Sequence, residues 1–359
     1  MGLKVTTFNV EWMVSFFDGD WNQWDGTIVD SFPGKKLGSI NLAPIPDVPA
    51  VCRRIANVIQ AVDPDILALQ EGPPREEQMQ LFVDTFLGGE YTVFGSNRQW
   101  QRNYALVKNN LAQRCRTEDW DDDQFKSNWK NTPYHPWGTI KLEDRKVHDF
   151  HRLPLVLHVS PPGQANPLEL VVVHTKSKFS KLKNPQQWEE RETAAVKDAL
   201  LVRAKLSAEM KMLRHYYVKR LSQVGDDHAF MILGDFNDGP LAEEMEREFL
   251  IHNIIDEVVG SIMEPKAVLT HGMTPDVIAN SATTRFRNPM KNGALTEELI
   301  DHIVVSNGLL NGTSGYQFDQ SSCVVNKAEF EAENDETAQH DERQLRPSDH
   351  LPVSAQIDF

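Results

Sequence analysis

The sequence of 359 residues predicts an α/β protein built on packed β-sheets. Short strand-like runs rich in Val, Ile and Leu recur along the chain, and most are bounded by Gly, Pro, Asn or Asp. Only two long stretches show helical periodicity, and neither an internal repeat nor a Pro/Gly/Ser-rich linker marks a domain boundary. Many strands with few long helices are typical of one α/β domain, which we expect to span residues 1–359.

The predicted elements follow one another at short intervals. Strands are predicted over residues 3–10, 65–70, 91–94, 103–108, 153–159, 168–174, 229–234, 299–306 and 351–359. A first helix within residues 48–62 has one apolar face, formed by Val51, Ile55, Val58, Ile59 and Val62. A second helix is predicted from about Gln187 to Leu221, with its positive dipole end near Glu189, Glu190 and Glu192.

Three stretches are predicted to be surface insertions. Residues 15–48 are rich in Trp, Gly, Asp and Pro, residues 118–135 contain "EDWDDDQF", and residues 328–343 are acidic and weakly apolar. Such composition rarely buries enough apolar surface to form a core. We therefore expect solvated loops at all three positions.

Composition and charge narrow the class of protein. Hydrophobic residues make up 40% of the chain and charged residues 25%, as in ordinary globular proteins. The net charge of −15 argues against a protein that grips a polyanion along its whole surface, because that affinity comes from Lys and Arg. The three cysteines have neither metal-ligand spacing nor the pattern of a disulfide framework.

The sequence shows no sign of a membrane protein. The first residues lack a basic segment followed by a long apolar one, and no apolar run reaches the roughly 18 residues that a bilayer requires. We expect a cytoplasmic protein without stable membrane association, with the monomer as the default oligomeric state. The Trp-rich stretch 21–24 leaves a membrane-docking alternative open.

Polar residues recur where the predicted strands end. At strand ends they are Asn9 and Glu11, Gln70 and Glu71, His174 with Thr175, Lys176 and Ser177, and Asp235 and Asn237. Asp301 and His302 lie inside the apolar run 299–306, and Asp349 and His350 come just before the last strand. Strand ends are where a rigid framework presents polar groups to a cleft. Each fragment alone is more typical of a turn or a solvated strand end, and strand alternation places His302 on the core face. Their joint occurrence favours a shared site.

The chemistry of this set is specific. Carboxylate and amide oxygens in this number suit a hard cation such as Mg²⁺. Histidines beside carboxylates suit general acid–base work near neutral pH, and Asn side chains with Lys176 can donate to phosphate oxygens. Together they indicate metal-assisted attack of water on a phosphate ester.

The order of these fragments resembles the endonuclease/exonuclease/phosphatase superfamily, the deoxyribonuclease-I-like fold. The resemblance runs from residue 3 to the C-terminus and lies in "TFNVEW", "LALQEG", "VVVHTKSK", "LGDFND", "LIDHIVVS" and "PSDHLPV". It implies a four-layered α/β/β/α sandwich of two packed mixed β-sheets flanked by helices. The "HTKSK" stretch before "WEERETAAVKDAL", and the "NVEW" start, are most similar to bacterial nuclease-like members.

The resemblance also implies roles for individual residues. Glu71 would be the principal Mg²⁺ ligand, with Asn9 and Asp349 close by and Mn²⁺ as a substitute ion. The pair that binds the phosphate and orients the water, or a second metal, would be Asp235 and Asn237. The general base would be His350 paired with Asp301, and the histidine on the scissile phosphate would be His174. The residues expected to contact substrate are Glu11, Lys176 and Ser177.

The leading hypothesis is a Mg²⁺-dependent phosphodiester hydrolase that acts as a nuclease on DNA. Two basic strips favour nucleic acid: Lys176, Lys178, Lys181 and Lys183, and residues 283–293. The acidic surface favours the alternative of a phosphatase or phospholipase, sphingomyelinase-like or inositol-phosphatase-like, on a small phosphorylated lipid or sugar. A catalytically inactive binding protein on the same fold is a further alternative.

Overall fold

The computed structural model describes residues 2–18, 24–37, 40–135, 141–240, 247–248, 253–335 and 342–359. Its strands are β1 (Gly2–Asn9), β2 (Lys35–Leu37), β3 (Ile40–Leu42), β4 (Ile66–Gly72), β5 (Tyr91–Gly95), β6 (Arg102–Lys108), β7 (Cys115–Thr117), β8 (Thr132–Tyr134), β9 (Lys146–His148), β10 (Leu155–Val159), β11 (Leu168–His174), β12 (Phe230–Asp235), β13 (Leu269–His271), β14 (Thr284–Asn288), β15 (Ala294–Glu298), β16 (Asp301–Ser306), β17 (Gln317–Val325) and β18 (Val353–Asp358).

Helices connect and cover these strands. They are α1 (Val48–Val62), α2 (Glu76–Phe86), α3 (Asn109–Ala112), α4 (Asp123–Ser127), α5 (Pro185–Glu189), α6 (Thr193–Val224), α7 (Ile254–Val259), α8 (Pro275–Asn280), α9 (Asn307–Leu310) and α10 (Lys327–Glu331). Short 3₁₀ turns lie at Met13–Phe17, Leu142–Asp144, Pro265–Ala267, Pro289–Lys291 and Arg343–Leu345. Within the described ranges, no helix is both long and apolar enough to cross a membrane.

Two six-stranded sheets form the centre of the molecule. The first has the order β17-β18-β1-β4-β6-β5 and the second the order β13-β16-β12-β11-β10-β7. Both are mixed, because β1 runs parallel to β4 but antiparallel to β18, and β12 runs parallel to β11 but antiparallel to β16.

The sheets pack face to face, and helices cover their outer faces. Val5 and Ile66 of the first sheet share one buried cluster with Leu157 and Leu170 of the second. A second cluster joins the outer face of the first sheet to α1 and α2, and a third joins the outer face of the second sheet to α6. The predicted four-layered α/β/β/α sandwich is confirmed.

Helix α1 forms where the apolar periodicity predicts it. The side chain of Asp47 caps its first turn by accepting a hydrogen bond of 2.8 Å from the Ala50 amide, and Pro49 lies in the first turn, where a missing amide hydrogen costs nothing. Every residue of the predicted apolar face is buried against the first sheet.

The predicted start of the second helix, at about Gln187, is wrong. The chain forms α5, reverses at Arg191 in the left-handed conformation, and begins α6 only at Thr193. Glu192 precedes α6 without capping it through its side chain, so the three glutamates do not line the first turn of one continuous helix. Residues at the break carry no Gly or Pro that would signal it.

The three predicted surface insertions are not wholly solvated. Phe16 and Phe32 from the first, Trp129 from the second and Phe330 from the third are buried in the hydrophobic clusters. Isolated aromatic residues in a polar stretch therefore anchor each excursion to a sheet or helix. Residues 19–23, with most of the Trp-rich stretch 21–24, lie outside the described residues, as do 38–39 and 336–341.

Strand β1 lies inside the first sheet rather than at its edge. It pairs with β18 from Gly2 opposite Asp358 to Thr7 opposite Val353, and with β4 on its other side. The first and last strands of the structure are therefore direct neighbours, and the loops at their site-facing ends meet.

Gly234 in β12 allows this strand to lie close to β11 in the second sheet. Its φ is 147°, and a Cβ placed there would lie 1.9 Å from the carbonyl oxygen of Val173 on the neighbouring β11. A side chain at this position would push the two central strands apart, so the glycine before Asp235 is a requirement of packing.

Candidate active site

Strand register brings three of the predicted residues side by side in the second sheet. His174, the last residue of β11, is paired with Asp235, the last residue of β12. Asp235 is in turn paired with Asp301, the first residue of β16. Three adjacent strands thus place an imidazole and two carboxyls at one edge of the sheet.

Asn9 connects this row to the first sheet. Its amide nitrogen Nδ2 donates to Asp235 Oδ2 at 3.0 Å and, more weakly, to Glu71 Oε1 at 3.4 Å. Asn9 ends β1 and Glu71 lies in the neighbouring parallel strand β4, so the two sheets meet here through side chains.

His350 completes the cluster from the loop before β18. Its Nδ1 lies 2.8 Å from Asp301 Oδ2, and its Nε2 lies 3.9 Å from both Asp235 Oδ2 and Asp349 Oδ1. Burial lowers the pKa of His350, but the carboxylates of Asp301 and Asp235 outweigh burial and hold this pKa well above its usual range. The raised pKa favours the imidazolium form of His350, which the Asp301 carboxylate stabilises.

Asp235 is the most strongly perturbed carboxyl in the cluster. Burial, together with the charge of Asp301, raises the pKa of Asp235 to about 7, although His350 opposes the shift. His174 Nε2 lies 3.3 Å from Asp235 Oδ2. Burial and the charge of Arg152 lower the pKa of His174 well below its usual range, which keeps that imidazole neutral.

Glu71 is held in an unusual backbone conformation. Its φ is 60°, and the pairing of β4 with β6 shifts register between Leu69 and Gly72, which is a bulge that re-aims the side chain. The Trp12 amide donates to Glu71 Oε2 at 2.8 Å, and His174 Nε2 lies 3.7 Å from Glu71 Oε1.

The carboxyls of Glu71 and Asp349 fit a divalent cation. Burial and the charge of Asp349 raise the pKa of the Glu71 carboxyl. Partial burial and the charge of Glu11 raise the pKa of Asp349. Carboxylates that repel one another in a poorly solvated site are stabilised by a bound cation, and oxygen donors suit a hard one. A further set of candidate ligand atoms, from Asp235, Asp301 and His350, lies within 4.8 Å.

The three residues predicted to contact substrate, Glu11, Lys176 and Ser177, have different surroundings. Both carboxylate oxygens of Glu11 contact Arg346. Lys176 Nζ donates to the Ser177 carbonyl at 3.0 Å, and burial with the charge of Arg152 lowers the pKa of Lys176. Ser177 lines a cavity beside the cluster.

Asn237 and His302 occupy the two sides of the turn after β12. The Asn237 amide nitrogen of the backbone donates to Asp235 Oδ1 at 2.7 Å, while its side chain donates to the Thr175 carbonyl at 3.1 Å. His302 is buried in the core, where its Nδ1 lies 2.9 Å from His271 Nε2, as the strand alternation predicted.

Sequence reasoning missed three arginines that shape the site. Arg152 donates to the Thr175 carbonyl and to Gln101 Oε1, both at 2.6 Å, and its charge acts on Glu71 and Asp235. Arg152 precedes strand β10 instead of following a strand, so it is not among the polar residues found at strand ends. Arg343 and Arg346 could have been identified from the sequence, because they are basic residues at the end of an acidic stretch, directly before "PSDH".

A cavity of about 650 Å³ adjoins the cluster. Asn237, Asp349 and His350 line one end, and the loop after β11 and the β14–β15 hairpin form its walls. Another cavity, of about 730 Å³, lies on α6 and contains none of the residues discussed above. The first cavity is therefore the one joined to the cluster.

Solved structures of low sequence identity resemble the chain. Truncated TDP2 of Caenorhabditis elegans is 15% identical with a TM-score of 0.49, covering 100% of this chain and 98% of that one. The endonuclease/exonuclease/phosphatase from Bacteroides vulgatus is 13% identical with a TM-score of 0.48, covering 100% and 99%. The AP endonuclease LMAP of Leishmania major is 12% identical with a TM-score of 0.49, covering 100% and 88%. No curated protein matches the chain.

The family comparison is more decisive. Residues 21–350 match the model of the Endonuclease/Exonuclease/phosphatase family. This match takes in Glu71, His174, Asp235, Asp301 and His350, which the fold brings together at one edge of its two sheets. The chain belongs to the Endonuclease/Exonuclease/phosphatase family and is a metal-dependent phosphoesterase.

Proposed function

We propose that the protein is a Mg²⁺-dependent phosphodiesterase that hydrolyses nucleic acid, with DNA as its preferred substrate. One observation carries the proposal. His350 is paired with Asp301, its Nε2 lies 3.9 Å from Asp235 Oδ2, and it also lines the 650 Å³ cavity. An acid–base cluster that opens into a cavity of this size can hold more of a substrate than its phosphate.

We assign the metal to Glu71, Asp349 and Asn9. Asn9 Nδ2 donates to Glu71 and its Oδ1 accepts from the Glu11 amide, so the Asn9 side chain would have to turn to offer its oxygen to the ion. Two carboxylates and that amide oxygen leave room for the waters that Mg²⁺ retains, and Mn²⁺ accepts the same ligands. When bound, the ion would neutralise negative charge that accumulates on the phosphoryl oxygens.

The pKa shifts favour an exchange of the roles first assigned to Asp235 and His350. A general base works best with a pKa near the working pH, and the pKa of Asp235 is about 7. His350, whose pKa lies well above its usual range, instead supplies a positively charged N–H donor for a phosphoryl oxygen. We propose Asp235 as the group that takes the proton from the attacking water.

His174 and Asn237 complete this assignment. Burial and the charge of Arg152 lower the pKa of His174 and keep its imidazole neutral. A neutral imidazole with its proton on Nε2 can donate to a phosphoryl or leaving-group oxygen. Asn237 is fixed by hydrogen bonds to Asp235 and Thr175, so its position at the cavity end is defined before substrate binds. Lys176 and Ser177 would bind outlying phosphates.

A second candidate function is hydrolysis of a small phosphorylated lipid or sugar. The net charge of −15 supports it, because a long polyanion is repelled by an acidic surface. The deciding experiment measures hydrolysis of supercoiled plasmid, single-stranded DNA, RNA, sphingomyelin and an inositol phosphate with Mg²⁺, Mn²⁺ or EDTA. Metal-dependent cleavage of DNA supports the nuclease. Release of phosphate or phosphocholine alone overturns it in favour of the small-ester enzyme.

We further propose a single-domain, monomeric, cytoplasmic protein. The pairing of β1 with β18 supports one domain, because strands that are far apart in the sequence are neighbours in the same sheet. Cys52, Cys115 and Cys323 are free thiols, in keeping with a reducing compartment. Sedimentation analysis and cell fractionation test the oligomeric state and the location.

A further inference from the structure

The walls of the 650 Å³ cavity carry an aromatic pair that the proposed chemistry does not use. Phe179 lies in the loop after β11 and Phe286 lies in β14, and both line the cavity. Their ring centroids are 6.1 Å apart and their planes meet at 89°. This edge-to-face contact leaves the Phe179 side of the pair open, since that residue is 62% exposed.

An exposed phenylalanine of this kind has a cost in water. Most large apolar side chains of the described residues are buried in the four clusters, whereas Phe179 projects beside the catalytic edge. Apolar surface that faces a binding cavity gains free energy when a planar ligand covers it.

The pair is fixed relative to the catalytic cluster. On one side, Lys178 Nζ lies 2.6 Å from Glu298 Oε2 and 3.7 Å from Asp238 Oδ1, which ties the Phe179 loop to β15 and to the turn after β12. On the other side, Thr284 Oγ1 donates to the Asp349 carbonyl at 2.9 Å, two residues before Phe286 in the same strand. The aromatic pair is therefore anchored to the turn after β12 and to Asp349, a proposed metal ligand.

We propose that Phe179 and Phe286 form a stacking platform for one unpaired nucleobase adjacent to the scissile phosphate. This inference rests on the proposed nuclease function and adds the form of its substrate. Every nucleobase has a flat face that stacks on an aromatic side chain, so the platform tolerates sequence variation.

The rest of the cavity lining favours a base over an acyl chain. Asn280, Ser281 and Thr296 contribute amide and hydroxyl groups to the same walls. Asn280 Nδ2 donates to the Asp276 carbonyl and Thr296 Oγ1 to the Ala294 carbonyl, but both side chains keep an oxygen that can accept a hydrogen bond from the polar edge of a base. A hydrocarbon chain offers no such donor.

Stacking on this platform requires a base that has left its own stack. Bases inside an intact duplex have both faces covered, so the enzyme should prefer single strands, frayed ends or extruded nucleotides. The preference also agrees with a net charge of −15, because gripping a short unpaired segment needs few phosphate contacts.

The test uses short single-stranded oligodeoxynucleotides in which one position at a time carries an abasic tetrahydrofuran residue. For the wild-type protein with Mg²⁺, one abasic position next to the cut should raise KM by about tenfold, the typical contribution of one base–aromatic stack. Phe179→Leu keeps apolar volume without a ring and should reduce this discrimination to near unity. Phe179→Trp should preserve or increase it.

Ile262→Ala is the matched control, because Ile262 is another exposed apolar residue and does not line the cavity. Its discrimination should equal that of the wild type. If wild type cleaves the oligonucleotides but Phe179→Leu discriminates as well as wild type, the platform is overturned while the nuclease stands. If wild type cleaves small phosphate esters and no nucleic acid, both proposals fail.

Discussion

The guanidinium of Arg346 holds both carboxylate oxygens of Glu11, with Nη2 at 3.0 Å from Oε1 and Nη1 in short contact with Oε2. Arg343 Nε lies 3.1 Å from the same Oε2. Burial raises the pKa of Glu11, but the two arginines outweigh it and lower that pKa. This ion cluster ties the loop after Asn9 to the segment before Asp349, so two proposed metal ligands depend on one another.

Replacing Glu11 with Gln should weaken Mg²⁺ binding. The change removes the carboxylate that contacts both Arg343 and Arg346 and loosens the Trp12 amide that orients Glu71. We expect the Kd for Mg²⁺ from calorimetry to rise by about tenfold, as for outer-shell changes at metal sites. Glu169→Gln is the control, because Glu169 pairs with Arg220 toward the opposite end of β11 from His174. An equal loss of affinity in both variants would contradict the positioning role.

Replacing Glu71 with Gln should abolish metal-dependent hydrolysis while the fold is retained. Burial raises the pKa of the Glu71 carboxyl, so the ionised group destabilises the metal-free protein and a neutral amide relieves that cost. In EDTA we expect a Tm equal to or above that of wild type, and in millimolar Mg²⁺ no stabilisation. Metal-induced stabilisation of wild-type size in the variant would remove Glu71 from the ligand set.

Asp301→Asn should lower the pKa of His350. The Asp301 carboxylate, 2.8 Å from His350 Nδ1, is the main opposition to the effect of burial on that imidazole. NMR titration of the His350 ring in metal-free protein should show the pKa moving down toward or below 6.5, the ordinary value of a histidine. We expect kcat to fall by about 10² to 10⁴, the usual range for an acid–base group. A pKa that stays as high as in wild type would refute the pairing.

Asp235→Asn should change how stability depends on pH. In the folded metal-free protein the pKa of Asp235 is about 7, whereas in the unfolded chain it is near 3.8, the ordinary value of an aspartate. The contribution of Asp235 to stability is therefore fully present below pH 3.8 and is lost as pH rises to about 7.

Denaturant titrations of wild type and Asp235→Asn in EDTA can measure this. The free energy of unfolding of the variant, relative to wild type, should increase between pH 4 and 7 by a few kcal/mol, since one pKa unit is about 1.4 kcal/mol. Above pH 7 the difference should level off. A difference that is constant across this range would mean that the Asp235 pKa is not raised.

Gly234→Ala should destabilise the protein strongly. The new methyl would meet the Val173 carbonyl at 1.9 Å, which only separation of β11 from β12 can relieve. We expect a loss above about 4 kcal/mol, or failure to fold. Gly163→Ala is the control, because Gly163 also has positive φ, at 87°, but no atom lies within 4 Å of its Cβ position. It should lose only about 1–2 kcal/mol, the cost of the backbone conformation alone.

The sandwich was predictable because its central strands are largely apolar. All of β11 and β12 is buried, and the apolar segments of residues 170–173 and 230–233 indicate buried strands in the sequence. The β14–β15 hairpin was not predicted, because "TRFRN" and "ALTEE" are polar and partly exposed. Its strands are held by pairing with each other and by backbone contacts to Asp349, which leave no periodic pattern.

Within the site, residue types at strand ends identified the cluster but not the state of its members. The sequence around Asp235 does not show that burial and the charge of Asp301 raise the pKa of Asp235 to about 7. Such shifts depend on distances between strands that are remote in sequence. The roles of Glu11 and Arg152 likewise depend on partners that only the folded chain supplies.

The adjacency of β1 and β18 has a consequence for biosynthesis. During translation the first strand emerges long before its antiparallel neighbour, so one edge of β1 stays open until nearly the last residue described here has left the ribosome. Asn9 must wait equally long for Asp349. The proposed site therefore cannot assemble until β18 and the loop before it have been made.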